Sequence, residues 1–141
     1  SEPAPQHYGQ PILIIDDEAF MRKLIERTLS DIGVGIVSQA SNGREGLSLL
    51  QSAKSKVDLV VCDLEMPEMN GFDFVKQVRS SSDERLDSAV PILILTGHAD
   101  EETVRGAANL GINGYLIKPI SRKSLEGRIL KSIKTPAMKN N

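Results

Sequence analysis

The chain has no tryptophan and a single cysteine, Cys62. One thiol cannot close a disulfide within the chain, so a packed core has to hold the fold. One cysteine and two histidines also cannot make an ordinary structural zinc site. Aromatics are only 4% of residues, so that core has to be built from Ile, Leu, Val and Ala. No apolar run is long enough to span a bilayer, and the first residues lack the pattern of a secretory signal. The expected compartment is a reducing cytoplasm. The formal net charge of -2 gives no reason to expect binding by the domain as a whole to nucleic acid or membrane, so neither is expected as a direct partner. The chain also lacks an initiator Met, which points to a processed or trimmed form.

What is present fits one domain: 141 residues can bury one sizeable core and are short for two. Residues 1–10 carry Pro3, Pro5 and Gly9 without periodicity and are expected to form a flexible N-terminal tail. The domain is expected over residues 11–134, with a polar C-terminal tail over 135–141. Pro11-Ile12-Leu13-Ile14-Ile15 is apolar throughout and stops at Asp16-Asp17-Glu18. Apolarity on both faces is the mark of a central strand in a parallel sheet. Asp58 to Asp63 and Val90 to Thr96 repeat the design. Val34 to Ala40 and Gly114 to Lys118 are the remaining strand candidates.

Helical patterns fill the gaps. Phe20, Leu24, Ile25, Thr28, Leu29 and Ile32 recur at three- and four-residue spacing, and Gly33 follows as a stop. Asn42-Gly43-Arg44-Glu45 reads as a capping box before Leu47, Leu49 and Leu50. Asn70-Gly71 opens a third helix with Phe74, Val75 and Val78 on one stripe. Asp100, Glu101 and Glu102 place negative charge at the positive end of a fourth, which runs to about Leu110. Ser121 caps a fifth, with Leu125, Ile129 and Ile133 four apart. Ser80 to Ala89 is polar and reads as a surface loop. Five strands alternating with five helices predict an α/β fold, a doubly wound (βα)5 flavodoxin-like sandwich. Its five-stranded parallel sheet is expected in the order 2-1-3-4-5.

Ligands of such sheets bind beyond the carboxyl ends of the strands. The first strand delivers Asp16 and Asp17 there, the third Asp63, the fourth Thr96, and the fifth Lys118. Taken singly, each acid reads more readily as a cap or turn residue, and Lys118 as a solvated lysine. Together they form a site. Three carboxylates held close repel one another, and a hard divalent cation with oxygen ligands relieves this. Mg2+ suits the place because it takes few carboxylates and bridges to phosphoryl oxygens. Asp63 then reads as a carboxylate nucleophile toward phosphorus, with Lys118 and the cation stabilising the transferring group. A haloacid-dehalogenase-type phosphatase would want a second Asp two residues after the nucleophile, where Glu65 stands. A flavodoxin-type binder would want a Ser/Thr/Gly-rich loop after the first strand, where three acids stand instead.

Four segments, in this order, resemble the receiver domains of two-component response regulators, of the chemotaxis-receiver kind. They are Ile14 to Glu18; Val60 to Gly71, which includes Asp63, Met66-Pro67 and Asn70-Gly71; Ile94 to Gly97; and Gly114 to Pro119. The resemblance implies a phosphorylation-activated signalling switch and not a dedicated enzyme. It accepts a phosphoryl group on Asp63 from a histidine kinase or histidine phosphotransfer protein, then dephosphorylates itself. It implies Mg2+ held by Asp16, Asp17, Asp63 and the backbone carbonyl of Glu65. Thr96 and Lys118 would meet the phosphoryl group, Thr96 and Tyr115 would act as the switch pair, and Lys118–Pro119 would be a cis peptide. An intact set of these residues argues against a receiver-like domain that has lost phosphorylation. The positions of Glu65 and His98 tune phosphate lifetime in this family. Gly97 and Ile120 depart from the family's frequent Ala and Phe, and Cys62 is expected in the core. The output would be a downstream protein target or a missing output domain. Acids on the fourth helix, against Arg122, Lys123, Arg128, Lys131 and Lys134 on the fifth, offer a further expectation. The face made by the fourth helix, fifth strand and fifth helix would form a phosphorylation-dependent homodimer, the alternative being a different partner protein.

Overall fold

The computed structural model describes residues 11–52, 56–98 and 100–134. The two expected tails, 1–10 and 135–141, lie outside the described residues. The elements run β1 (Ile12–Ile15), α1 (Ala19–Asp31), β2 (Val37–Ala40), α2 (Gly43–Leu50), β3 (Leu59–Asp63), α3 (Gly71–Arg79), β4 (Ile92–Thr96), α4 (Glu101–Asn109), β5 (Gly114–Ile117) and α5 (Arg122–Lys134). All strands are parallel, in the order β2-β1-β3-β4-β5, which is the expected topology.

Strand alternation divides the core into two layers. Leu13, Ile15, Val60, Cys62, Ile92 and Ile94 project to one face, under Leu50 of α2 and Phe74, Val75 and Val78 of α3. Ile12, Ile14, Leu59, Val61, Leu93 and Leu95 project to the other, under Ile25 and Leu29 of α1 and Leu125 and Ile129 of α5. The side chain of Ile133 lies outside those described. β1, β3 and β4 are buried at every position, as central strands covered on both faces must be. Cys62 is buried in this layer, where burial raises its thiol pKa and keeps it protonated.

Three local expectations need correction. The α1 stripe resolves into two rows: Ile25, Leu29 and Ile32 are buried, whereas Leu24 is exposed and Phe20 is 76% exposed. Residues 20, 24 and 28 recur every four and lie about 100° around the helix from the 25, 29, 32 row, so only the latter faces the sheet. The second strand begins at Val37, not Val34. Gly33 takes φ +100°, and the Val34 N–H donates to the Leu29 carbonyl at 2.9 Å, so that stretch closes α1 before the sheet starts. At α2, Asn42 accepts from the Glu45 N–H as expected, but the Glu45 carboxylate reaches past Asn42 to the Ser41 N–H and hydroxyl. A reciprocal capping box does form at α3, between Asn70 and Asp73.

Candidate functional site

Parallel packing in this register brings the carboxyl ends of β1, β3, β4 and β5 to one edge. Asp63 ends β3 and Thr96 ends β4; Asp16 follows β1 directly, and Lys118 follows β5. Asp16 and Asp63 are buried and Asp17 is exposed. Each of the three offers a carboxylate oxygen within 4.8 Å of the others. The Asp16 backbone is fixed on both sides: its N–H donates to the Ala40 carbonyl at 3.1 Å, and its carbonyl accepts from the Arg22 guanidinium at 2.6 Å. Its Oδ1 accepts from the Glu18 N–H at 2.8 Å. Its Oδ2 is buried and has no hydrogen-bond partner among the described residues.

A buried carboxylate oxygen without a donor costs on the order of 1–3 kcal/mol, more where the group is charged. The site therefore holds more negative charge than its own cations offset. Lys118 supplies positive charge: its Nζ stands 2.8 Å from Asp63 Oδ1. The contact is an ion pair whose geometry falls short of a well-directed hydrogen bond. Burial raises the Asp16 pKa, the Glu18 N–H and Lys118 opposing it only in part. Burial also pushes Asp63 up to about 6, with Asp16 adding to the rise and Lys118 opposing it. Burial alone would lower Lys118, but the charges of Asp63, Asp16 and Glu65 outweigh it and leave its pKa raised. Hard oxygen donors, close spacing, an orphaned buried oxygen and excess negative charge are what a Mg2+ site requires. The residues present fit that ion.

Thr96 is 2% exposed. Its hydroxyl donates to Glu65 Oε2 at 3.0 Å, with the His98 carbonyl more distant at 3.4 Å, and accepts from the His98 N–H at 3.0 Å. The Gly97 N–H donates to the other Glu65 oxygen, Oε1, at 2.9 Å. Sequence reasoning assigned Glu65 only a backbone carbonyl and an undefined tuning role, and missed its side chain. No local pattern signals it, because the contact comes from strand register. Asp63 pairs with Leu95 across β3 and β4, so the residue two beyond Asp63 comes level with Gly97. Tyr115 is half-buried on the layer that holds Ile92 and Ile94, the face that strand alternation also assigns to Thr96. The Lys118–Pro119 peptide is cis. His98 is exposed beyond β4. Ile120 packs half-buried against the α1–α5 layer.

Residues 12–130 match the family model described as the response regulator receiver domain. The chain is 37% identical over 118 residues to chemotaxis protein CheY-3 of Vibrio cholerae serotype O1, which covers 84% of this chain and 87% of that protein. It is 39% identical over 120 residues to the probable transcriptional regulator ycf27 of Porphyridium aerugineum, covering 85% of this chain and 46% of that longer protein. The solved structure of CheY4 of Vibrio cholerae superposes with a TM-score of 0.75 at 34% identity, covering 86% of this chain and 97% of that one.

Proposed function

This chain belongs to the response regulator receiver domain family, whose members are phosphorylation-activated signalling switches and not dedicated enzymes, and from that premise we propose that Asp63 is its phosphoacceptor. The observation that carries the proposal is a carboxylate 1% exposed, ion-paired to Lys118 and clustered with Asp16 and Asp17. With a pKa near 6 it is ionised at neutral pH, yet burial leaves it poorly solvated and therefore reactive. One Asp63 oxygen attacks the phosphorus of a phosphohistidine on a histidine kinase or phosphotransfer protein. The P–N bond breaks, its electron pair stays on the imidazole nitrogen, and that nitrogen takes a proton. Lys118 is placed to follow the charge from the carboxylate to the phosphoryl oxygens. Asp16, Asp17, Asp63 and the Glu65 carbonyl would hold Mg2+, which when bound neutralises the acids and stabilises charge on the phosphoryl group. Return to the resting state is hydrolysis: water attacks phosphorus, the bond to the Asp63 oxygen breaks, and inorganic phosphate leaves. The domain that does this spans residues 11–134, and its setting is the cytoplasm.

Exposed apolar groups support two contact surfaces. Phe20 and Leu24 stand open at the start of α1, beside the acid cluster, and suit a phosphodonor protein. Ile117 is 42% exposed on β5, between the acidic start of α4 and the basic α5, and suits a downstream target or a second phosphorylated copy. Thr96 and Tyr115 couple this second surface to the phosphoryl group.

Incubation with a small acyl phosphate and Mg2+ should add one base-labile phosphate. Asp63→Asn should abolish it, because an amide is a far poorer nucleophile. Labelling of Asp63→Asn at the parent level overturns the assignment. Light scattering of the beryllofluoride adduct at low salt tests the second copy: a monomer leaves a different partner protein as the occupant of the α4–β5–α5 face.

A further inference from the structure

The Glu65 carboxylate binds two donors at once, the Thr96 hydroxyl at 3.0 Å and the Gly97 N–H at 2.9 Å. Both belong to the carboxyl end of β4, one strand over from Asp63. In the proposed function Thr96 answers the phosphoryl group on Asp63, so these are donors that such an anion would draw on. A phosphoryl group carries close to two negative charges and several strong acceptor oxygens. In the resting protein, an anion from the chain itself already fills the place of one such acceptor. The Thr96 hydroxyl is buried and also accepts from the His98 N–H. Glu65 itself is on the exposed rim, so it is free to swing out.

We propose that the Glu65 side chain is a built-in latch on the switch, a carboxylate that holds Thr96 and Gly97 in the resting arrangement and has to be expelled before they can bind the phosphoryl group. The proposal rests on the reading of Asp63 as phosphoacceptor and adds the element that keeps the unmodified state off. Phosphorylation releases the latch in two ways. The new acceptors compete for the same donors, and their charge repels the Glu65 carboxylate across the site. The freed Glu65 leaves the β3–β4 rim, and Thr96 is released to move toward Asp63. Glu65 is thus a positioning residue acting through Thr96. The strength of its two charge-assisted bonds sets how much of the unphosphorylated protein already adopts the active arrangement.

Two readouts test this. In the metal-free protein, Glu65→Ala should shift the Gly97 amide resonance away from its carboxylate-bonded position. It should also move Thr96, Gly97 and His98 part of the way toward their positions in the beryllofluoride adduct of the parent. With Mg2+ present, Glu65→Ala should bind beryllofluoride roughly tenfold tighter, the scale of losing one competing charged hydrogen bond. Simple charge repulsion would also tighten binding, but equally with or without Thr96. The latch requires the gain to shrink to about threefold or less in a Thr96→Ala background. An unmoved Gly97 amide, or the same gain in both backgrounds, overturns the latch and leaves the phosphoacceptor reading intact. A parent protein that binds no beryllofluoride with Mg2+ present overturns the phosphoacceptor reading and the latch with it.

Discussion

Two successive units of this fold are built to the same measure and held very differently. β3 and β4 are both five-residue strands buried throughout, and α3 and α4 are both nine-residue helices. α3 buries Gly71, Phe74, Val75 and Val78 and starts from a reciprocal capping box. α4 buries Ala107 and starts from a single cap, Asp100 to the Thr103 N–H. The join after β3 is close-packed, with the Gly71 N–H bonded to the Leu64 carbonyl at 2.8 Å. The join after β4 runs over exposed Gly97 and His98, with Glu65 as the partner of the Gly97 amide. The unit that carries Asp63 is the fixed one and the unit that carries Thr96 is the loose one. The division suits the proposed switch: Asp63, as phosphoacceptor, would stay registered with Asp16 and Lys118, while Thr96, as the group that responds, would be free to move. Responsive segments are drawn from the weakly packed end of a structure's stability range.

The comparison can be broken most directly in the core of α3. Phe74→Ala should cost about 3–5 kcal/mol by chemical denaturation, the range for deleting a fully buried aromatic ring. A cost below about 1 kcal/mol would show that α3 is no better anchored than α4. The two units can be compared by one substitution made in each. A Cβ on Gly71 would sit 2.7 Å from the Asp63 carbonyl oxygen and 2.9 Å from the Leu64 Cα, both backbone atoms that cannot turn aside. Gly71→Ala should therefore cost about 1–3 kcal/mol and slow phosphorylation of Asp63.

Electrostatic strain at the end of the fixed unit gives an effect of similar size and opposite sign. The Asp63 pKa of about 6 lies above the unfolded value near 3.9. The folded protein therefore holds this proton more tightly than the unfolded chain. Stability from this group is fully present below about pH 4 and is lost as pH rises through about 6. Measured in a metal chelator at pH 7, Asp63→Asn should be more stable than the parent by about 1–3 kcal/mol. The gain should vanish toward pH 4. A gain independent of pH would refute the electrostatic account.

The smallest effect is expected on α4. A Cβ on Gly106 would meet the Phe72 ring at 3.5 Å, an ordinary contact. Gly106→Ala should stabilise by about 0.5–1 kcal/mol through helix propensity, shifting the thermal midpoint upward. Loss of stability there would mean that α4 is packed as tightly as α3.

Much of this was legible in the residues. Runs apolar at every position mark β1, β3 and β4 because only a strand covered on both faces needs them. Asn70, Asp100 and Ser121 announce helix starts because a cap is a contact within one turn of chain. The acids ending the first and third runs were visible for the same reason: a strand's last residue is set by its own pattern. Phe20 was misread because its spacing fits the apolar stripe, and only the way α1 rolls onto the sheet separates its row from that of Ile25 and Leu29.

By itself, the sequence determined the elements, their order, and which chemical groups arrive at the carboxyl edge, because period, caps and strand ends depend on neighbours a few residues apart. Tertiary structure decided how those groups spend their bonds. Lys118 meets Asp63 across the β4 strand that separates them in the sheet, and Glu65 meets Thr96 from 31 positions away in the chain. Both contacts follow from strand register, and register is set by the whole core packing at once. The same holds for the looseness of α4. Its residues form a good helix, but how tightly a helix is held depends on the surface it covers, and no local pattern encodes that.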